Sequence, residues 1–279
     1  MQTASSHDTI PYRLAAIDLD GTLLGPNKQI GPENLAAVQR LQRAGVQVIV
    51  ASGRRHQNSI RFQRQLGLHG PIIACQGGLI RHGESGEIIE AHLLKPDIAA
   101  EIVALGEARG IDVIYYHLDH LYVGPLATEF RRLYERRVGE QTEVIGDLKI
   151  LEGRDALKIV WYGPPDALYS WRDELTQRFA GRVDVLSTEQ ENLEFMPPGV
   201  NKASAVAKIA EQFGIPCAQV MTFGDGENDV PMLKWAGLGV AMAHGNEVAK
   251  AAAKFISPPG PAETDFARAV DAIFARCAA

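Results

Sequence analysis

The sequence is poor in cysteine and has no long apolar run. Its 279 residues include three cysteines, Cys75, Cys217 and Cys277. An odd number without paired spacing indicates neither a disulfide framework nor a zinc site. No segment approaches the ~20 apolar residues of a membrane-spanning helix, and residues 1–11 lack the apolar stretch of a secretory signal. We therefore predict a cytoplasmic protein with no membrane partner.

Basic charge is also scarce. The chain has 28 Lys and Arg against 34 Asp and Glu, a formal net charge of -6. Binding a polyanion requires a basic surface, so we expect no nucleic-acid partner. A small phosphorylated ligand needs only local positive charge and is not excluded. Hydrophobic residues at 46% and charged residues at 22% are typical of a globular protein, and the length allows one large domain or two.

Apolar runs alternate with helical patterns over the first 78 residues. Each run is short, and Gly or Pro interrupts the chain after it, as expected for buried strands with short connections. This order is typical of a parallel, doubly wound sheet, in which ligands bind beyond the carboxyl ends of the strands. The predicted strands are 14–17, 46–51 and 72–75, and the predicted helices begin near 32 and 56.

The pattern changes near residue 79. A hairpin is predicted around Gly83-Glu84-Ser85-Gly86 and a second around 118–120. Helices are predicted between and after them, at about 97–109, 126–138 and 165–180. Hairpins mixed with helices indicate an α+β module inserted into the parallel sheet. We place this insert at 83–192 and the core at 1–82 and 193–279. The first pattern then returns, with helices near 202–213, 246–253 and 265–275 and strands at 220–223 and 238–241.

Two carboxylates follow the first strand, Asp18 and Asp20. Two acids held this close are unfavourable unless a cation lies between them or one carries a proton. A phosphoryl-transfer site needs this arrangement, with one carboxylate as nucleophile and another to carry a proton. The alternative is a strand-end turn in which Asp and Gly21 only supply turn residues.

Further polar residues follow other predicted strands or begin a helix, and the fold would bring them to the same edge of the sheet. The set, in its order, resembles the haloacid dehalogenase-like phosphohydrolase superfamily over about residues 13–257. The insert between the second and third motifs resembles the Cof-type branch, which implies a Rossmann-like sheet with an α/β cap that selects the substrate. The matching motifs are Asp18-Leu19-Asp20-Gly21-Thr22, Ser52-Gly53-Arg54, Lys202, and Gly224-Asp225-Gly226-Glu227-Asn228-Asp229.

The resemblance implies a role for each matching residue. Asp18 would attack phosphorus, and Asp20 would donate and then accept a proton. Lys202, at a helix start, would add a positive charge beside the phosphate. The remaining phosphate contacts would come from Gly21, Ser52, Gly53 and Asn228, and the alternative for Ser52 is a turn serine at a strand end.

An all-oxygen site suits a hard divalent cation, and the expected cofactor is Mg²⁺. Asp18, the backbone carbonyl of Asp20, and Asp225 would be its ligands. Asp229 would ligate through water or orient Lys202. A calcium loop is the alternative, but its oxygen ligands would be more densely spaced.

Three positions depart from the Cof-type pattern. Gln76 stands where Asn is usual, and Ala243-His244-Gly245-Asn246-Glu247 is longer than the usual Gly-Asn-Ala. A late Asp-Gly-Val is replaced around Thr264-Asp265-Phe266. In the insert, His117 and His120 with Asp119 could bind a metal, but turn histidines at a surface are commoner.

We therefore predict a Mg²⁺-dependent phosphatase that acts on a small phosphorylated metabolite through an aspartyl-phosphate. The expected substrate is a sugar phosphate. A phosphomutase on the same scaffold would also pass phosphate through an aspartate and is the nearest alternative. A binding or regulatory protein without turnover is the alternative from another class. The joint presence of Asp18, Asp20, Lys202 and Asp225 argues against it.

Overall fold

A computed structural model describes residues 10–139 and 141–278. The chain divides into two compact units. The first unit contains the described residues up to Ile89 and from Asn201 onward, and the second unit is Glu90–Val200. No helix among the described residues is long and apolar enough to cross a membrane.

The strands and helices alternate along most of the chain. The strands are β1 (Leu14–Ile17), β2 (Gln47–Ala51), β3 (Pro71–Ala74), β4 (Leu79–His82), β5 (Ile88–Ala91), β6 (Asp112–His117), β7 (His120–Val123), β8 (Glu143–Val144), β9 (Lys158–Tyr162), β10 (Asp184–Leu186), β11 (Asn192–Met196), β12 (Val220–Gly224), β13 (Leu238–Ala241) and β14 (Phe255–Ile256). The α-helices are α1 (Pro32–Arg43), α2 (His56–Gln65), α3 (Pro96–Ala108), α4 (Glu129–Val138), α5 (Pro165–Arg178), α6 (Lys202–Gln212), α7 (Val230–Trp235), α8 (Glu247–Ala252) and α9 (Asp265–Ala278).

The sheet of the first unit has the order β14-β13-β12-β1-β2-β3-β4-β5. β1 lies between β12 and β2 and is parallel to both. Farther along the sheet, β4 pairs antiparallel with β3. All four residues of β1 are buried, as expected for a strand that is covered on both faces. Successive side chains point to opposite faces. Ile17 packs with residues of α1 and α9, whereas Leu14 packs with residues of α6. The predicted doubly wound sheet is confirmed.

The second unit is built on a six-stranded sheet of order β10-β11-β9-β6-β7-β8. Most adjacent strands in this sheet are antiparallel, and β9 lies near its centre, between β11 and β6. Trp161 of β9 is fully buried against Phe195 of β11, with ring centroids 4.8 Å apart. Residues of α3 and α5, including Ile102 and Leu168, complete this core. This is an α+β unit inserted between two parts of the parallel sheet.

The insert is predicted at 83–192, and the second compact unit of the structure is Glu90–Val200. At its start, β4 pairs antiparallel with β3, so the hairpin of β4 and β5 extends the sheet of the first unit. At its end, β11 pairs with both β9 and β10 and therefore belongs to the second sheet. The pattern of apolar residues alone does not reveal which sheet a strand joins, because that depends on its partners.

Candidate active site

Lys202 lies at the centre of a buried cluster of charges. It is the first residue of α6, and the side chain of Asn201 caps that helix by accepting from the N–H groups of Ala203 and Ser204. The Lys202 side chain is fully buried. Its Nζ donates to Oδ1 of Asp18 at 2.6 Å and to Oδ1 of Asp229 at 2.6 Å. The helix start thus places one ammonium between carboxylates that come from two distant parts of the chain.

Asp229 uses both of its carboxylate oxygens. While Oδ1 faces Lys202, Oδ2 accepts from the backbone N–H groups of Asp225 and Gly226 at 2.9 and 3.0 Å. Its side chain also packs closely on the backbone, since a Cβ at Gly224 would lie 2.4 Å from that of Asp229. These contacts fold the loop after β12 around Asp229 and fix the position of Asp225.

Asp225 faces the turn that contains Gly21 and Thr22. The hydroxyl of Thr22 donates to Oδ1 of Asp225 at 3.0 Å. Gly21 has φ of +79°, and a Cβ there would lie 2.2 Å from Oδ2 of Asp225, so only glycine fits. Burial and the charge of Asp229 raise the pKa of Asp225 to about 6, although the hydrogen bond from Thr22 opposes the shift.

Asp18, Asp225 and Asp229 each present a carboxylate oxygen within 4.8 Å of the others. Burial raises the pKa of Asp18 well above its ordinary value; the charge of Lys202 opposes this, and the charges of Asp229 and Asp225 add to it. Three carboxylates and one ammonium leave an excess of negative charge in a buried place. Such a donor set fits a hard divalent cation such as Mg²⁺, which prefers oxygen ligands.

Asp20 lies in a different electrostatic environment. Arg54 donates to both of its oxygens, from Nε to Oδ2 at 2.6 Å and from Nη2 to Oδ1 at 2.7 Å. Lys28 adds a third bond, to Oδ1 at 2.8 Å. Burial would raise the pKa of Asp20, but Arg54 and Lys28 together lower it to about 2. Arg54 is not among the site residues predicted from the sequence, although its position two residues after Ser52 places it in the same loop.

Gln76 joins the second and fourth motifs. Its Oε1 accepts from Nδ2 of Asn228 at 3.0 Å, and a Cβ at Gly53 would lie 2.4 Å from its Nε2. Ser52, the residue before Gly53, is also buried, and its Oγ accepts from the N–H of Arg54 at 3.1 Å. Gln76 adopts a φ of +59°, which is unusual for a residue with a side chain. From the sequence, Gln76 is only a departure from the family pattern.

All nine predicted site residues lie in the first unit and follow strand ends or begin a helix. Asp18, Lys202, Asp225 and Asp229 form the charge cluster, whereas the side chain of Asp20 turns to Arg54. In the second unit, His117 and His120 form hydrogen bonds to other protein groups. Nδ1 of His117 contacts the carbonyl of Asp155 at 2.8 Å, and Nδ1 of His120 contacts Glu143 at 2.7 Å. These contacts favour the interpretation of both histidines as turn residues. The remaining predicted site residues are Gly21, Ser52, Gly53 and Asn228.

Residues 15–261 match the sequence profile of the haloacid dehalogenase-like hydrolases. HMP-PP phosphatase of Serratia proteamaculans (strain 568) is 32% identical, over 84% of this chain and 84% of its own length. The 5-amino-6-(5-phospho-D-ribitylamino)uracil phosphatase YitU of Bacillus subtilis (strain 168) is 29% identical, over 87% of this chain and 90% of its own length. A solved haloacid dehalogenase-like hydrolase from Bacteroides thetaiotaomicron superposes with a TM-score of 0.84 at 26% identity, over 94% of this chain and 99% of its own.

The chain therefore belongs to the haloacid dehalogenase-like hydrolase family, in its Cof-type branch, as the motifs predict. Its enzyme class is phosphoric monoester hydrolase, which agrees with the predicted class.

Proposed function

We propose that the protein is a Mg²⁺-dependent phosphatase that hydrolyses a small phosphorylated metabolite through an aspartyl-phosphate on Asp18. The observation that supports this most directly is the buried Lys202, whose ammonium contacts both Asp18 and Asp229 at 2.6 Å. An isolated buried carboxylate would take up a proton and lose its nucleophilicity. The ammonium opposes that effect of burial and holds one oxygen of Asp18 in place.

Each step of the proposed reaction is assigned to a residue. Oδ1 of Asp18 stays with Lys202, and Oδ2 attacks phosphorus while the ester P–O bond breaks. The departing alkoxide takes a proton from Asp20. Water then attacks the phosphorus of the aspartyl-phosphate and gives a proton to Asp20, which frees inorganic phosphate and regenerates Asp18. The two steps return both carboxylates to their starting forms.

Asp20 must change its surroundings to act as an acid. Its ion pairs with Arg54 and Lys28 hold the carboxylate ionised, which suits the second step but not the first. The phosphoryl oxygens of a substrate attract the same two cations. We therefore assign to the substrate the weakening of these pairs, after which Asp20 can carry the proton that the alkoxide needs.

The metal would be held by Asp18, the backbone carbonyl of Asp20, and Asp225. Asp229, with both oxygens already bonded to protein groups, is assigned the orientation of Lys202 and contact with the cation through water. When bound, Mg²⁺ supplies charge neutralisation for the approach of an anionic substrate to an acidic cluster. Contacts to the phosphoryl oxygens are assigned to Gly21, Ser52, Gly53, Asn228 and Lys202.

The substrate class we propose is a sugar phosphate or a related phosphorylated metabolite. The two curated relatives are named for different substrates, one for HMP-PP and one for a phosphorylated ribitylaminouracil. Both names describe small phosphorylated metabolites, so the panel to be tested should contain these two compounds beside sugar phosphates and nucleotides.

A phosphate-release screen over this panel tests the proposal. We expect release from at least one sugar phosphate or related metabolite in Mg²⁺, no release in excess chelator, and acid-stable phosphate on Asp18 after quenching. Equal turnover without metal would refute the metal requirement. Transfer of phosphate between two positions of a sugar, stimulated by a bisphosphate and without release, would instead identify a mutase.

A further inference from the structure

Two departures from the family pattern meet beside the first motif. His244 follows β13, and Asp265 begins α9. Nδ1 of His244 lies 2.7 Å from Oδ2 of Asp265, and its Nε2 lies 2.8 Å from the carbonyl oxygen of Gly21. We propose that His244 is a positioning residue that holds the turn at Gly21 in the place that Mg²⁺ binding at Asp225 requires. This inference rests on the proposed function.

The anchor for His244 is buried and well bonded. The carboxylate of Asp265 is fully buried. Its Oδ1 accepts from the hydroxyl of Ser257 and pairs with Arg268 at 3.3 Å. Its Oδ2 is the atom that contacts Nδ1 of His244. Ser257 in turn accepts from the N–H of Ala243 at 2.8 Å. The imidazole is therefore attached at one end to a rigid part of the fold.

The other end of the imidazole reaches the turn that faces Asp225. A carbonyl oxygen can only accept, so Nε2 of His244 donates to Gly21. In the same turn Thr22 donates to Asp225, and the α-carbon of Gly21 leaves no room for a side chain beside that carboxylate. A shift of this turn would therefore move Asp225 as well. His244 is thus assigned a positioning role, in which it acts on the carboxylate through the turn and not as a metal ligand.

The two bonds of His244 can be removed separately. The amide nitrogen of Asn lies close to where Nδ1 was, so His244→Asn keeps the bond to Asp265 and loses the bond to Gly21. The longer Gln places its amide nitrogen near the position of Nε2, so His244→Gln keeps the bond to Gly21. Because one third of the His244 side chain is exposed, at 33%, neither change removes a core residue.

The experiment measures the Mg²⁺ dissociation constant by calorimetry on substrate-free protein, together with kcat and KM. We expect His244→Asn to weaken Mg²⁺ binding about 10-fold, the lower end of what loss of a group behind a metal ligand causes. His244→Gln, which keeps the bond to Gly21 but loses the anchor on Asp265, should lie between the wild type and the Asn variant, and His244→Ala should match the Asn variant. The loss in activity should lie in kcat at fixed Mg²⁺ and be recovered by raising Mg²⁺.

Three outcomes are decisive. Equal Mg²⁺ affinities in the Asn and Gln variants, or a better affinity in the Asn variant, would overturn the positioning role while leaving the proposed function intact. A wild-type protein that neither binds Mg²⁺ nor releases phosphate would refute the proposed function itself. Melting temperatures of all three variants within a few degrees of the wild type, with the expected order of affinities, would support the role of His244.

Discussion

The two carboxylates of the first motif lie two residues apart yet have opposite electrostatic surroundings. Asp18 is buried beside two other carboxylates and one ammonium, and burial with its acidic neighbours raises its pKa despite Lys202. Asp20 contacts two cations, which outweigh its burial and lower its pKa to about 2. A difference of this kind between neighbouring titratable groups is typical of sites where two acids have different roles. It motivates separate tests of Asp18 and Asp20.

Asp18→Asn and Asp20→Asn should fail in different ways. An amide oxygen is a poor nucleophile, so Asp18→Asn should form no phosphoenzyme. Asp20→Asn should lower sugar-phosphate cleavage by about 10²–10⁴-fold, the usual range for loss of general acid–base catalysis. A nitrophenolate leaving group needs little protonation, so nitrophenyl phosphate should give a burst of nitrophenol and a phosphorylated Asp18. Rapid-quench kinetics and mass spectrometry measure both. Phosphate on Asp20 would reverse the assignment.

Asp225 should make the metal-free protein less stable as the pH rises. Its pKa is raised from 3.8 to about 6 in the folded protein. Between these values the folded state binds a proton that the unfolded chain does not, so this contribution to stability is lost as pH rises through the window. Asp225→Asn has no such titration. In chelator, its stability gain over the wild type should be larger at pH 7.5 than at pH 5 by about 1–2 kcal/mol.

Melting temperatures in chelator measure this difference, and added Mg²⁺ provides the internal control. The cation should stabilise the wild type at pH 7.5 and stabilise Asp225→Asn much less, because a neutral amide is a weaker ligand than a carboxylate. An equal gain for Asp225→Asn at both pH values would contradict the raised pKa. An equal response of both proteins to Mg²⁺ would contradict the assignment of Asp225 as a ligand.

At the scale of single elements, the start of α6 depends on the turn after β3. Gly77 lies in this turn with φ of +101°, and a Cβ there would lie 2.3 Å from the carbonyl oxygen of Asn201, the residue that caps α6. Lys202 follows Asn201 directly. A side chain at position 77 would therefore displace the helix start that delivers the ammonium to Asp18.

Gly70 supplies a matched control for Gly77→Ala. Its φ is +100°, but apart from Gly70 and its two chain neighbours no atom of the described residues lies within 4 Å of a Cβ built there. Both alanines would have nearly the same positive φ, so the difference between the two variants reports the contact with α6. We expect Gly77→Ala to lose about 2 kcal/mol more stability than Gly70→Ala and at least ~10-fold in kcat. Urea unfolding and phosphate release measure these values, and equal kcat in both variants would refute the coupling.

The elements predicted best from the sequence are those with local signals. β1, β2 and β12 are short apolar runs that end in Gly or polar residues, and α5 begins at Pro165 after another proline and carries an apolar stripe. β9, the central strand of the insert, was missed although Ile159–Tyr162 is an apolar run. Its neighbours β6 and β11 pair with it in a way that no local sequence pattern encodes.

The same limit applies to the site. The motif residues could be predicted because each occupies a strand end or helix start that the local sequence identifies. Arg54 could have been proposed from its place in the second motif, but its bond to Asp20 joins residues 34 positions apart. The contact of His244 with Gly21 spans 223 positions. Its effect on Asp225 depends on a turn geometry that only the folded chain provides.

At the scale of the whole molecule, the predicted catalytic residues and the inserted segment belong to different units. Every predicted site residue belongs to the first unit, and the motifs there are assigned only to the phosphoryl group and its cation. All candidate substrates share that group, so contacts to it cannot discriminate among them. We therefore propose that the insert, Glu90–Val200, selects the substrate.

Substitutions in the insert should change the ranking of substrates more than the chemistry common to them. Tyr122 is half-buried and stacks on His120, with ring centroids 5.4 Å apart, so Tyr122→Leu removes an aromatic ring and keeps an apolar side chain against the core of the insert. His117→Asn keeps a donor for the carbonyl of Asp155 while changing the rest of the ring. We expect each to alter the ratio of kcat/KM between two sugar phosphates by about 10-fold, the scale of one or two lost contacts. Lys208→Ala, exposed on α6 in the first unit, is the matched control and should leave the ratio unchanged. If the insert variants preserve the wild-type ranking over the whole panel, selection does not lie in the insert.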